Sequence, residues 1–244
     1  MRGRGRVATG DDRIITIDGG IPVRLRRNLR ARRMTLRVSH ADGAVVLTLP
    51  PRASEADGAA FARSRAGWIR GAQAAMPAPQ VAAFGAALPV EGRALILSPA
   101  SVRAARVDGD ALLLPQARAP GRVAEAWLKH LARDRLAAAC DRHAAALGRP
   151  FAAIALRDTR SRWGSCTQDG RLMFSWRLAM APPEVLDYVA AHEVAHLAHM
   201  DHSPRFWAAV AGLMPDYAPR RAWLRRNGGD LMAWSFRSDG PGGA

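Results

Sequence analysis

The sequence predicts an α+β fold in which a β-rich N-terminal region precedes a mostly helical domain. Up to residue 118, short apolar stretches alternate with Asp-Gly and Pro-containing turns, which is typical of strands. Residues 121–147 are rich in Ala, Leu and Arg and contain no Pro, which favours one long helix. Residues 182–207 combine a Pro-Pro start with histidines at helical spacing, which predicts a further helix.

The composition is that of a globular protein with one or two domains. The chain has 244 residues, 49% of them hydrophobic and 23% charged, enough for a sizeable core. No apolar run approaches the roughly 20 residues that span a bilayer, and the basic N-terminus lacks the apolar segment of a secretory signal. Two cysteines, Cys140 and Cys166, form no disulfide framework. We expect a cytoplasmic protein without membrane association; its oligomeric state is left open.

A net charge of +15 comes almost entirely from arginine, since Lys129 is the only lysine. Such a surface attracts nucleic acid, nucleotides or lipid headgroups, although an Ala-, Arg- and Gly-rich composition equally explains the excess. The most concentrated charge lies in residues 24–37, and apolar residues alternate with polar ones toward its end. This alternation predicts a strand with a solvated basic face. The function of the stretch is left open.

The N-terminal region is predicted to contain strands, a hairpin and one helix. Residues 14–17 form a short strand before an Asp-Gly-Gly turn, and residues 34–38 and 44–49 form a hairpin through Asp42-Gly43. Residues 54–75 are predicted to form a helix with Ser54 as N-cap. Its core positions are predicted to be Phe61, Trp68 and Ile69.

Further strands are predicted at residues 86–90, 94–97, 101–107 and 111–114, and, after the long helix, at 154–157 and 172–178. A last helix is predicted to end at Gly228-Gly229, and the tail from Ser238 is predicted to be disordered. The predicted domains are a β-rich region at residues 1–118, a second domain at 119–228 and a C-terminal tail at 229–244.

The chemistry-bearing motif is His192-Glu193-Val194-Ala195-His196, an H-E-x-x-H pattern. On a helix, positions i and i+4 lie on one face, so both imidazoles can reach one metal ion. Glu193 points about 100° away round the helix axis and can contact a water molecule beside the metal without being a ligand. The motif therefore predicts a metal centre with an adjacent general base.

A catalytic zinc ion needs a third protein ligand and one open position. His199 and His202 are the candidates. His199 is predicted to remain on the same helix, where three ligands would be nearly collinear. His202 follows a turn and precedes Ser203-Pro204, an N-cap and first helical position. His202 is therefore the favoured third ligand, and His199 is interpreted as a polar residue flanking the site.

The expected chemistry is hydrolysis assisted by Zn²⁺. Zinc lowers the pKa of bound water to about 7 and polarises the attacked carbonyl. Glu193 is expected to accept the proton from the attacking water and pass it to the leaving group. Arg177 and Tyr217 are candidates for holding the oxyanion, and no spacing rule separates them.

Several residues around the motif have two interpretations. The segment containing Arg162, Trp163 and Cys166 is the best candidate for an edge strand that pairs with an extended substrate, but Trp163 and Arg162 could equally be core and surface residues. Cys166 is not expected to be a ligand or nucleophile. Three carboxylates could orient an imidazole from behind, and none is favoured: Asp187, Asp201 and Asp216.

The chain resembles the YgjP-like metallopeptidase family, which is related to SprT-like and gluzincin-type zinc proteins. The resemblance rests on RSRWGSC (160–166), GRLMFSWRL (170–178) and residues 185–207, and it extends loosely over residues 14–228. It implies a zincin-like metallopeptidase domain with a small sheet and an active-site helix. It also implies the metal ligands His192, His196 and His202, with Phe206 as the aromatic residue four positions after the third histidine. Metzincins share this spacing, but the glycine between their ligands is His199 here.

Three functions remain open at this level. The first is a zinc metallopeptidase acting on a peptide. The second is a metal-dependent hydrolase of a nucleoside triphosphate or another small anionic substrate, which would depend on arginines because the chain has no G-x-x-x-x-G-K-[ST] loop. The third is a nucleic-acid-associated SprT-like protease whose arginine-rich surface docks on a phosphate backbone.

Overall fold

The computed structural model describes residues 13–39, 43–159 and 162–237. The chain divides into two compact units, Met1–Pro77 and Ala78–Ala244. This division differs from the expected one at residues 118 and 119, because apolar residues at 88–114 share one core with residues after 119. Two expectations concern residues outside the described ranges: that the N-terminus is not a secretory signal and that the tail from Ser238 is disordered.

The first unit is a four-stranded sheet covered on one face by two helices. Its elements are β1 (Arg13–Ile17), β2 (Ile21–Arg27), β3 (Thr35–Val38), β4 (Val45–Leu49), α1 (Glu55–Ser64) and α2 (Ala66–Ala74). The strand order is β1-β2-β4-β3, with β2 parallel to β4 and the other pairs antiparallel. Alternate apolar residues on β2 and β4 point to the helices and form the core with Ala62 and Ile69.

Local sequence explains most of this unit. The predicted strand at 14–17 and the hairpin are confirmed, although Asp42 of its turn lies outside the described residues. Ser54 is the N-cap of α1, in a capping box with Asp57. The predicted single helix is instead two, and Trp68, predicted to be in the core, is 53% exposed. Strand β2 was not predicted, since its arginines obscured the alternation.

The second unit is a mixed α and β structure around one long helix. Its elements are β5 (Gln80–Val81), β6 (Ala87–Val90), β7 (Arg93–Ala100), β8 (Arg106–Asp108), β9 (Ala111–Pro115), α3 (Pro120–Leu147), β10 (Ala153–Arg157), β11 (Gly164–Cys166), β12 (Arg171–Ser175), a 3₁₀ helix (Trp176–Met180), α4 (Pro183–Ala195), α5 (Pro204–Leu213), α6 (Tyr217–Met232) and β13 (Trp234–Ser235). The predicted α+β class, with a β-rich N-terminal region, is confirmed. None of the helices in the described residues is both long and apolar enough to span a bilayer.

Three small sheets surround the helices of this unit. One has the order β6-β7-β9-β8, another the order β10-β12-β11, and β5 pairs with β13. Leu128 and Leu136 of α3 are fully buried in the shared core with Leu97 and Leu112 of the first of these sheets. Helix α4 packs against α3, α5, α6 and β11, and this central position holds the H-E-x-x-H motif.

Three predictions in this unit need correction. The predicted strand at 101–107 is wrong over most of its length, because β7 continues to Ala100 and β8 begins only at Arg106. The predicted strand at 172–178 ends at Ser175, where the buried 3₁₀ helix begins. Helix α6 does not end at Gly228 but continues to Met232, and a Cβ atom at Gly228 would lie 2.9 Å from Trp163 Cζ2. That glycine is explained by the close approach of the Trp163 ring.

Candidate metal centre and active site

Helix α4 places the motif deep in the second unit. Pro183 is in its first turn, where a missing N–H is tolerated, and Glu184 complements the helix dipole there. Nearly every following side chain is buried, including Val185, Val189 and Val194. Because α4 is apolar almost all round, its orientation is set by packing on every side rather than by one apolar stripe.

Helix α4 ends at Ala195, so the second histidine of the motif lies just beyond its last residue. His196 is the C-cap, and its Nδ1 donates a hydrogen bond to the carbonyl oxygen of His199 at 2.9 Å. A carbonyl only accepts, so Nδ1 carries the proton and Nε2 of His196 keeps its lone pair. The expectation that His199 remains on the helix is therefore wrong, and its backbone, rather than its ring, orients a neighbouring imidazole.

The chain then reverses and brings His202 back over α4. The backbone N–H of Ser203 donates to Asp201 Oδ1 at 3.1 Å, and α5 starts at Pro204. The Ser203 side chain makes no cap hydrogen bond, so the predicted cap position is correct and its expected side-chain bond is not formed. This tight corner leaves His202 Nε2 3.2 Å from His192 Nε2.

The three histidines fit a divalent cation. One ligand atom from each of His192, His196 and His202 lies within 4.8 Å of the others, and this is the group that could hold a metal ion among the described residues. Zinc–nitrogen bonds of about 2.0–2.1 Å would separate two tetrahedral ligands by about 3.3 Å. The spacing of 3.2 Å between His192 and His202 already matches that separation.

The fully buried ring of Phe206 lies beneath the three imidazoles. Its centroid is 4.8 Å from those of His192 and His202 and 4.4 Å from that of His196, which it stacks upon. The Nδ1 atom of His192 is buried and has no hydrogen-bond partner among the described residues. Aromatic packing, rather than a hydrogen bond at Nδ1, therefore orients this ring.

Two of the imidazoles, those of His192 and His196, are held neutral. Burial, together with the neighbouring histidines, lowers the pKa of His192 to about 3, and burial also lowers the pKa of His196. A metal ligand must be unprotonated, and these two rings therefore need not lose a proton to bind a metal ion at neutral pH.

Glu193 lies between the helix and the sheet and is only 5% exposed. A Cβ atom built on Gly164 of β11 would lie 2.6 Å from Glu193 Cγ and 2.7 Å from its Cδ, so only glycine leaves room for this carboxyl group. Burial raises the pKa of Glu193 to about 8, against an opposing effect of the Arg162 guanidinium. A cation held by the histidines would favour the ionised form and lower this pKa.

Strand β11 is an edge strand beside the motif. It pairs antiparallel with β12 on one side, with Gly164 opposite Phe174 and Ser165 opposite Met173. No strand within the described residues pairs with its other side. Because Gly164 contacts Glu193, an extended chain added to this edge would run past the Glu193 carboxyl group.

A row of aromatic rings, which we call the aromatic wall, extends from the histidines to α6 and consists of Trp207, Tyr217 and Tyr188. Trp207 lies 5.7 Å from His192 between ring centroids, and Tyr217 stacks on Trp207 at 5.5 Å and on Tyr188 at 6.2 Å. The Arg221 guanidinium carbon is 4.4 Å from the Trp207 ring centroid. The positively charged guanidinium of Arg221 is thereby held near the histidines. No motif in the sequence predicts Arg221 at this site.

The other predicted participants are placed differently. Arg177 is buried, and its guanidinium donates to Asp158 and to the carbonyl oxygens of Leu231 and Trp234, so it is structural and not free to hold an oxyanion. Tyr217 is the one of the two oxyanion candidates that lies in the aromatic wall. Burial, with Glu193 and Asp169 adding to it, raises the pKa of Cys166 to about 11, so this thiol is a poor nucleophile at neutral pH.

None of the three carboxylates named as candidate partners bonds to an imidazole of the site. Asp187 accepts from His143 Nε2 at 2.9 Å and from Arg142, and Asp216 pairs with Arg220. Asp201 instead accepts from the backbone N–H of Ser203. Among the described residues, the only hydrogen bond from a site imidazole to a supporting group is the one to the His199 carbonyl, which no side-chain pattern could reveal.

Comparison with known proteins gives a family match and a partial likeness to a solved structure. A family described as YgjP-like, metallopeptidase domain, matches residues 32–227, which is more than half of the chain. The crystal structure of the metallopeptidase zymogen of Pyrococcus abyssi abylysin is 18% identical, with a TM-score of 0.34; the match covers 38% of this chain and 92% of that chain. Comparison with curated proteins finds no match.

Proposed function

The chain belongs to the YgjP-like metallopeptidase family, and from that premise we propose that it is a zinc-dependent peptidase with Glu193 as its general base. The observation that carries the proposal is the convergence of three imidazoles beside a buried carboxyl group and a free strand edge. A bound zinc ion would supply Lewis acidity to water and to the scissile carbonyl. His192, His196 and His202 would hold it.

The residues of the chain supply positioning and proton transfer. The outer edge of β11 would hold the substrate in an extended conformation by main-chain hydrogen bonds. Glu193 would take a proton from the attacking water at its carboxylate and deliver it to the departing amine nitrogen. The buried, apolar surroundings of Glu193 strengthen its interaction with developing positive charge on that amine.

A second candidate, hydrolysis of a nucleoside triphosphate or another small anionic substrate, is supported by two arginines. Arg221 stacks on Trp207 beside His192, and Arg162 immediately precedes the Trp163-Gly164 corner that contacts Glu193. Neither guanidinium has an ion-pair partner within the described residues. An anionic substrate group beside the scissile bond would satisfy both.

Turnover assays on purified protein separate the two candidates. The protein would be assayed by elemental analysis and against a peptide library and a nucleotide panel, with chelator and after zinc is restored. We expect cleavage of peptides that disappears with chelator and returns with zinc. Cleavage of nucleotides without peptides would establish the second candidate, and a zinc-loaded protein inactive on both panels would refute the hydrolase proposal.

Replacing His202 by Ala is expected to weaken zinc binding at least about 100-fold, because a coordinating nitrogen is lost. The same change at His199 is expected to alter binding only a few-fold, because its contribution to the site is a backbone carbonyl. Competition with a chromophoric chelator measures both affinities. Equal losses in the two variants would contradict the ligand assignment.

Replacing Gly164 by Ala is expected to lower turnover about 100-fold with zinc still bound. The added Cβ atom would displace the Glu193 side chain, and a shift of about 1 Å in a catalytic group can cost that factor. The matched control is Gly212→Ala on α5, where a Cβ atom meets nothing within 4 Å. Wild-type turnover in the Gly164 variant would show that the position of Glu193 is not critical.

A further inference from the structure

The sheet of the first unit has one covered face and one open face. Helices α1 and α2 pack on the face that carries Val23 and Leu47, and Ile69 of α2 belongs to the same core. The cross-strand register places a second set of side chains on the opposite face, which we call the open sheet face: Ile14, Thr16, Pro22, Arg24, Arg26, Thr35, Arg37, Val46 and Thr48. Arg26 and Arg37 are exposed, and neither makes an ion pair within the described residues.

Positive charge is concentrated on this unit, and Arg26 and Arg37 of the open sheet face form no ion pair within the described residues. Residues 13–39 and 43–77 contain twelve arginines against three carboxylates. Glu55 pairs with Arg13, and Asp57 caps α1. Asp18 lies 4.0 Å from Arg63 of α1, so all three carboxylates have partners on the helical side. The loop after β2 adds Arg30, Arg32 and Arg33 at the end of the sheet.

The arrangement suits a polyanion with regularly spaced charges. Residues two apart on a strand lie roughly 7 Å apart on one face, and a residue two strands away lies about 10 Å across the sheet. Arg26 and Arg37 are two strands apart and offset by two residues, so their guanidinium groups can contact different phosphates of one polyanion. Thr48 lies next to Arg26 on the neighbouring strand, and Thr35 lies opposite Thr48 on the strand beyond it. Both add hydroxyl donors of the kind that bind phosphate oxygens.

The lack of aromatic side chains on the open sheet face argues against single-stranded nucleic acid and in favour of a duplex. Proteins that bind single strands stack bases on aromatic side chains, and no described position of the open sheet face is aromatic. A lipid surface would require apolar anchors. The face offers Ile14, 61% exposed, and the adjoining loop offers Leu29, 81% exposed, which makes anionic vesicles the necessary comparison.

We propose that the open sheet face, together with the loop arginines, binds double-stranded nucleic acid through its phosphates without reading base sequence. Binding of this kind depends on counterion release, so its affinity falls steeply with salt. The contacts are guanidinium and hydroxyl groups to phosphate oxygens, and they reside in the first unit.

The test measures binding of full-length protein to a fluorescent duplex DNA of arbitrary sequence over a range of salt concentrations. R26Q/R37Q is expected to weaken binding at least about tenfold near 0.1 M salt and to reduce the log–log salt slope by about 2. The matched control is R63Q/R70Q, which removes the same charge from the helices on the other side of the sheet. It is expected to change affinity less than threefold. R26K/R37K keeps the charge and should keep the slope.

Circular dichroism establishes that each variant is folded, and the single substitutions R26Q and R37Q replace the pair if the pair is not. Each single is expected to reduce the slope by about 1. Equal weakening by the face pair and the helix pair would overturn the proposal, because charge alone would then account for binding. Absence of wild-type binding at low salt, or binding to anionic vesicles but not to duplex, would also overturn it.

Discussion

Replacing Glu193 by Gln is expected to reduce turnover by about 100- to 10,000-fold while zinc remains bound. Gln has nearly the same shape but cannot accept a proton, so the water is no longer deprotonated as it attacks. The fold should be unaffected, since burial already favours the uncharged form of this side chain by raising its pKa to about 8. Turnover on the identified substrate and zinc content by elemental analysis check the prediction.

Glu184→Gln is the matched control for this substitution. Glu184 is exposed in the first turn of the same helix, so the change is chemically identical and far along α4 from the histidines. Its turnover should equal that of the wild type. If the Glu193 variant kept full turnover with its zinc in place, another group would have to be the base.

Replacing Arg177 by Met is expected to lower the free energy of unfolding of the second unit by about 3–5 kcal/mol. The guanidinium of this residue, which is 2% exposed, donates to two main-chain oxygens, Leu231 O at 3.0 Å and Trp234 O at 2.9 Å. Its Nε also donates to Asp158 at 2.8 Å. Met fills much of the volume but leaves these buried acceptors without a donor.

Denaturant unfolding followed by tryptophan fluorescence measures this loss. Six of the seven tryptophans belong to the second unit, so the signal reports mainly on it. Arg171→Met is the control, because Arg171 forms an exposed ion pair with Asp169 and should leave the midpoint unchanged. Similar midpoints for the two variants would mean that the buried hydrogen bonds of Arg177 contribute little.

Much of the fold follows from local sequence. The long helix predicted at residues 121–147 is Pro120–Leu147, because a run dense in Ala and Leu without a breaker has no competing structure. Strand β2 is not among the predicted elements, although Ile21, Val23 and Leu25 alternate with exposed residues, because its arginines make the stretch look like a charged cluster. Trp68 shows the reverse error, since an apolar residue at helical spacing is exposed.

In the candidate site, too, local features could be predicted from the sequence and contacts between distant residues could not. The pairing of His192 with His196, and the preference for His202 over His199, followed from the helical period and the turn before Ser203-Pro204. The Glu193–Gly164 contact and the position of Arg221 over Trp207 could not be predicted. Each joins residues distant in the chain, and no spacing along one element encodes such a meeting.

The sequence by itself determined the spacing of the three histidines and the neighbouring carboxylate, because one helical turn and a short corner are local geometry. Its motifs also indicated the family. Only the tertiary structure decided that Glu193 is buried against a glycine of an edge strand and that Arg177 is structural rather than catalytic. It also decided which arginines of residues 24–37 share an uncovered sheet face. These properties depend on burial and on strand register, which arise when separate elements pack together.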